Sequence, residues 1–269
     1  MYKSKYKKAS SKIAKRNKTR RYAGLFLKIS VPVIFIVGIV FLLRSNFLQV
    51  KSFEVLGANS ISQESIKNTA SAFISGNKLL FIPRSDILFL NKDKLATALL
   101  SNFTRIEKVT VNKNFFSKNI TLSLTERQAD FLWCSPTGEC FNMTKDGLVF
   151  EKSNFAEASS DKISFRGSLE GNPLMKNFAT PAEMQNYLKL LKFFKDAGFE
   201  ISSVNIESAD KAVARSNVGD IIFNPGEADL SIPAQNAILL INETRNKNPS
   251  ALFNYIDARF GNKMFYKLL

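Results

Sequence analysis

The 269-residue chain has no histidine, two cysteines and a single tryptophan. Histidine is the side chain that titrates nearest neutral pH and the commonest metal ligand. Its absence excludes Ser-His and Cys-His nucleophile systems and histidine-ligated zinc hydrolases. No glycine-rich phosphate loop, metal-ligand cluster or nucleophile motif is present either. Carboxylate pairs such as Glu126 and Asp130 occur at spacings expected by chance among 23 acidic residues. The chain therefore reads as a binding protein, with no catalytic, cofactor or metal residues to name.

The two cysteines stand in the stretch WCSPTGEC, Cys134 and Cys140, around a turn marked by Pro136 and Gly138. Outside a reducing compartment they are disulfide candidates that would close the base of a hairpin loop. A redox-active dithiol usually takes the shorter C-x-x-C spacing at a helix start. A metal site would need more ligands than these two thiols.

Against this scarcity stands one long apolar run, Leu25 to Leu43 (LFLKISVPVIFIVGIVFLL), polar only at Lys28 and Ser30. Nineteen residues of helix would extend roughly 28 Å, close to the hydrocarbon thickness of a bilayer, which predicts a transmembrane helix over residues 23–44. A cleavable signal peptide would have a shorter run followed by small residues, not Phe41-Leu42-Leu43-Arg44. A helix buried in a soluble core would show an amphipathic period, which the run lacks. Residues 1–22 hold ten lysines or arginines and no acid, so by the positive-inside rule this basic tail is expected to be cytoplasmic. Contact with anionic lipid accounts for it more cheaply than nucleic acid does. Twelve of the 38 basic residues and none of the 23 acids lie at or before Arg44, so the remainder carries only about +3 of the +15 net charge.

Beyond the run, alternation and capping signals set out the elements in order. Val50 to Gly57 alternates as a strand, and Ser62, Gln63 and Glu64 open a helix expected to reach about Phe73, with Ile61 and Ile66 as a hydrophobic staple. A second helix is expected from Lys92 to Asn102, followed by strands over Ile106–Val111 and Ile120–Leu124. Further on, Thr180-Pro181-Ala182-Glu183 has the form of a capping box with proline at the first helical position, opening a helix that ends before Gly198. Short strands follow over 201–207, 211–216 and 220–223. Another helix, capped at Ser231 or begun at Ile232-Pro233, reaches about Asn246. The chain closes with LFNYIDARF, a Gly261-Asn262 turn, and Lys263 to Lys267.

Three stretches carry a resemblance. The pattern V-x-x-F-x-V-x-G at Val50 to Gly57, the SQESI helix start at Ser62 and the ending ITLSLTER at Ile120 to Arg127 resemble the POTRA domain of the FtsQ/DivIB cell-division proteins. FNMTKDGLVF at Phe141 to Phe150 is similar to the opening hairpin of that family's second, β domain. YIDARF at Tyr255 to Phe260 resembles its terminal strand, with alanine for the usual leucine. Gln128 and the cysteine pair depart from the family pattern.

The resemblance implies an α+β fold: an N-terminal transmembrane helix, a β-α-α-β-β POTRA domain over 48–126, and a mixed β domain over 127–269 with a mostly antiparallel sheet. It further implies a single-pass protein of the cytoplasmic membrane, with its N terminus cytoplasmic and its domains extracytoplasmic at the division septum. There it would hold FtsB-like and FtsL-like small division proteins by strand addition at its last strand and contact other divisome membrane proteins, without catalysis. By position this assigns partner binding to Arg259, Phe260, Asn262, Met264 and Tyr266. Two alternatives stand beside it: another POTRA-bearing transport or assembly protein, and a membrane-anchored envelope enzyme built without histidine.

Overall fold

The computed structural model describes residues 26–41, 48–79, 82–154, 162–261 and 263–269. The basic tail, 1–22, and Asn262 lie outside the described residues. The transmembrane helix expected over 23–44 is corrected by what forms. The described part of helix α1, 26–41, is sixteen residues or about 24 Å at 1.5 Å per residue, against roughly 30 Å of hydrocarbon. Among the described residues, no helix is long and apolar enough to cross a membrane. Hydropathy measures the composition of a run, whereas crossing demands length held as helix; positions 23–25 and 42–44 lie outside the described residues. The fold is α+β, with five helices described and one large mixed sheet.

The chain divides into two compact units. The first includes residues up to Leu100 and Lys108–Leu124. Its sheet has the order β1-β5-β4, from β1 (Ser52–Leu56), β4 (Ile106–Asn114) and β5 (Asn119–Glu126). β1 runs parallel to β5, with Phe53 opposite Ile120 and Val55 opposite Leu122. Between β1 and β4 come α2 (Gln63–Ile74), a small ladder of β2 (Asn77–Leu79) with β3 (Ile82–Pro83), and α3 (Lys92–Asn102). The helical period buries Ile66, Ala70 and Ile74 on α2 and Leu95 and Leu99 on α3; the strand period buries Val55, Val111, Ile120, Leu122 and Leu124. Ser62 occupies the N-cap of α2, yet its side chain makes no capping hydrogen bond.

The second unit, Ser101–Glu107 with Thr125–Leu269, is built on a ten-stranded sheet. In chain order its strands are β6 (Phe131–Cys134), β7 (Cys140–Met143), β8 (Leu148–Lys152), β9 (Ser164–Arg166) and β10 (Lys176–Asn177). They continue with β11 (Ile201–Ser208), β12 (Lys211–Ser216), β13 (Gly219–Phe223), β14 (Phe253–Phe260) and β15 (Lys263–Leu268). The spatial order is β10-β8-β7-β6-β9-β11-β12-β13-β14-β15. Parallel pairing occurs at β6–β9, β9–β11 and β13–β14, and the other neighbours are antiparallel.

Helices α4 (Pro181–Asp196) and α5 (Ser231–Lys247) supply the core with Met184, Tyr187, Leu190 and Phe194, and with Ala234, Ala237 and Ile241. These meet Phe165, Val204, Ala212, Ala214, Ile221, Phe223, Phe253 and Ile256 from the strands, each large side chain contributing roughly 1.5–3 kcal/mol by burial. The alternate residues of the same strands stay polar. Ser203, Asn205, Glu207, Lys211, Arg215 and Asp220 line a shallow depression of about 310 Å³.

α4 begins with the full capping box: Glu183 N–H donates to Thr180 Oγ1 (3.3 Å), and Thr180 N–H donates to the Glu183 carboxylate (2.7 Å). α5 departs from the sequence reading, since its N-cap is Leu230 and Ser231 is already helical. One local and one distant side chain replace the missing cap. Asp229 Oδ1 accepts the Ser231 N–H at 3.0 Å, and the buried Asn186 accepts the Leu230 N–H at 2.9 Å. Hydrogen bonds from Ser231, side chain first and then backbone, lower the Asp229 pKa.

Candidate functional site

The two ends of the large sheet differ. One is β10, only two residues long; the other is β15, six residues long, with a strand neighbour on one side only among the described residues. A long strand in that position presents a row of backbone donors and acceptors for another chain, unless short length or charge blunts it. β15 is antiparallel to β14, pairing Tyr255 with Lys267, Ile256 with Tyr266 and Asp257 with Phe265. β14 is in turn placed by its parallel pairing with β13, through the crossover helix α5. That junction is close: a Cβ at Gly219 would lie 2.1 Å from the Phe253 carbonyl oxygen, at φ +136°.

The hydrogen-bond phase of β15 fixes what the edge offers. Leu269 N–H donates to Leu252 O at 3.0 Å, so alternation turns the odd residues of β15 towards β14. The N–H and C=O groups of Met264, Tyr266 and Leu268 therefore face the open edge. Both irregularities of the ladder insert their extra residue on β14, which leaves this alternation intact along β15.

The side chains of the edge fall on two faces. Met264 and Tyr266 lie on the face of Ile256, towards the core. Met264 is half-buried against the core cluster, and Tyr266 meets the buried Phe253 ring edge-on at 5.7 Å while staying 47% exposed. Phe265 lies opposite Asp257 on the other face, where it meets Phe260 at 5.4 Å with perpendicular rings; the two are 54% and 52% exposed. The extra residue on β14 brings Phe260 to this face, a geometry invisible to strict alternation. Sequence reasoning assigned Phe260, Met264 and Tyr266 to one binding set. The structure separates them and adds Phe265, whose signal was its place in the aromatic cluster beside Phe260.

Arg259 is held from within the chain. Its Nε and Nη2 donate to the two Asp257 carboxylate oxygens at 2.9 and 2.7 Å, and its guanidinium stands 5.3 Å from the Phe260 ring centroid. Burial alone would raise the Asp257 pKa. The hydrogen bonds from Arg259, its charge and that of Lys211 prevail and hold it below the usual carboxylate value. The same pairing, opposed by burial, raises the Arg259 pKa. Asp257, Arg259, Phe260 and Phe265 thus form a preordered series along the outer face of the edge, flanked by Lys263 and Lys267.

Cys134 and Cys140 form a disulfide across the β6–β7 hairpin, with Cα atoms 4.0 Å apart. Ser135 N–H donates to Glu139 O at 2.8 Å just inside it, so the bridge occupies the closer-spaced, non-hydrogen-bonded pair where Cβ atoms approach. It is remote in sheet order from β15. Glu126 and Asp130 serve separate local roles: Glu126 pairs with Arg105 at 3.5 Å, and Asp130 accepts the Lys145 N–H at 3.1 Å. Among the described residues, no group of three or more His, Cys, Asp or Glu side chains could hold a metal ion.

Comparison of the chain with protein-family models and with curated proteins finds no match.

Proposed function

We propose that the protein is a non-enzymatic docking scaffold of the FtsQ/DivIB kind, acting on the outer side of the cytoplasmic membrane at the division septum. It captures an extended segment of a small FtsB-like or FtsL-like division protein as an added strand on β15. The observation that carries this reading is the edge itself: six residues, outward N–H and C=O groups at 264, 266 and 268, and exposed aromatic rings on both faces. Main-chain pairing would supply affinity, and Phe260, Phe265 and Tyr266 would supply choice of side chain. Lys263 and Lys267 favour an acidic segment.

Further support comes from the element order of the first unit, β1-α2-β2-β3-α3-β4-β5, which adds only the short β2–β3 ladder to the β-α-α-β-β order of a POTRA domain; YIDARF, expected in the terminal strand, lies instead in the penultimate one, β14. The disulfide suits an oxidising, extracytoplasmic compartment.

The test is titration of the full chain with extended segments of candidate FtsB-like and FtsL-like proteins from the same genome, beside a Phe260→Ala, Phe265→Ala variant. Binding by the parent that weakens at least tenfold in a folded variant supports the scaffold reading. Equal binding by both removes the aromatic edge from the account, and no binding by the parent removes the reading itself.

A further inference from the structure

One end of the first unit gathers apolar rings and basic side chains. The β4–β5 hairpin turns through residues 115–118, where Phe115 is 53% exposed and Phe116 is 101% exposed. The turn is built, not loose. Asn114 Oδ1 accepts the N–H groups of Phe116 (3.1 Å) and Ser117 (3.2 Å), and Lys118 takes the left-handed conformation at φ +60°. A ring as exposed as Phe116 contributes nothing to the packing of its own fold.

The backbone ties the hairpin tip to its neighbours. Lys51 N–H donates to Lys118 O at 2.9 Å, and Val50 N–H donates to Ser85 O at 2.8 Å. Lys113 Nζ donates to Ile87 O at 2.9 Å. The loop after β3 is thereby brought to the same end, adding Leu88 and Phe89, both exposed. The segments tied together here also carry Lys51, Lys113 and Lys118, while Asp86 is fully buried. Residues 108–125 hold three lysines and no acid.

We propose that this end of the first unit rests on an anionic lipid surface, with Phe115 and Phe116 inserted among the headgroups and the lysines of these segments on the phosphates. Two exposed rings at the tip of a fixed turn, with lysines on the segments tied to it, are what an interfacial contact requires: apolar area to bury and charge to match. The Lys113 ammonium adds weight. Burial, then the neighbouring charge of Lys92, lowers its pKa despite the opposing effect of Asp86, and anionic headgroups would offset the Lys92 repulsion. α1, whose large side chains are exposed, precedes this unit in the chain.

The experiment uses the full chain carrying Phe116→Trp, with the parent, whose own Trp133 is buried, as baseline. Both are mixed with vesicles of phosphatidylglycerol and phosphatidylcholine that carry brominated acyl chains. The expected result is a blue shift and at least twofold quenching at the introduced indole. Replacing Lys51 and Lys118 by Gln should raise the lipid concentration for half-maximal quenching by about tenfold or more. An indole that stays unquenched while the chain floats with the vesicles overturns the proposal. So does quenching that is equal on pure phosphatidylcholine and indifferent to the lysines. An indole blind to lipid that shifts when FtsB-like or FtsL-like segments are added would mark the tip as a protein contact instead.

Discussion

Proline at position 266 separates strand addition from every other mode of docking at the C-terminal edge. The N–H of Tyr266 faces the open side of β15, so its loss costs no ladder hydrogen bond to β14. Proline is tolerated on an edge strand in that orientation. An incoming strand would lose one donor outright, and the ring would obstruct the bonds on either side. With each main-chain hydrogen bond contributing about 1 kcal/mol net, losing two corresponds to about 2 kcal/mol, or roughly thirtyfold in affinity. Tyr266→Ala serves as the control, because it removes the ring against Phe253 and keeps the N–H. Lys267→Pro serves as the opposite control, because that N–H faces β14 and its loss should unfold the edge. Calorimetric titration with a division-protein segment reads affinity, and near-ultraviolet circular dichroism reads packing. If Tyr266→Pro remains folded and binds as well as Tyr266→Ala, the partner does not add as a strand and the reasoning fails.

Gly219→Ala should lower stability by at least about 2 kcal/mol, read as a lower urea midpoint, because the new Cβ meets the Phe253 carbonyl at 2.1 Å in a conformation reserved for glycine. Replacing Cys134 and Cys140 together by Ser should cost about 2 kcal/mol by the chain-entropy model, since the loop closed is short, and should leave partner affinity unchanged. Asp257 has a folded pKa below its unfolded value, so its stabilisation is present above the unfolded carboxylate pKa, near 4, and is lost as pH falls through the lower folded value. Asp257→Asn should therefore lower stability at pH 7 and flatten the acid limb of the pH–stability curve; an unchanged limb would refute the pairing as a contributor.

The sequence by itself determined most local structure, because caps and periodicities act within a few residues. The capping box at Thr180, the alternation of β5 and the apolar stripes of α2 and α4 depend on neighbours three or four positions away. The same reasoning failed where the decisive group was distant. Ser231 looked like the cap of α5, yet Leu230 takes that position and its N–H is accepted by Asn186, on another helix. The apolar run Leu25–Leu43 promised a span, but crossing depends on helical length, and the described part of α1 is 26–41. At the candidate site, the sequence marked the aromatic C terminus but not its two faces. Phe260 joins Phe265 and leaves Met264 and Tyr266 because an extra residue on β14 reverses the alternation. Arg259, legible as a polar contact, is tied to Asp257 by two hydrogen bonds that only the folded strand brings into line. That β15 stands at an edge, with the N–H groups of 264, 266 and 268 turned outward, follows from sheet order and register. Both are set by contacts between segments far apart in the chain, where local periodicity carries no information.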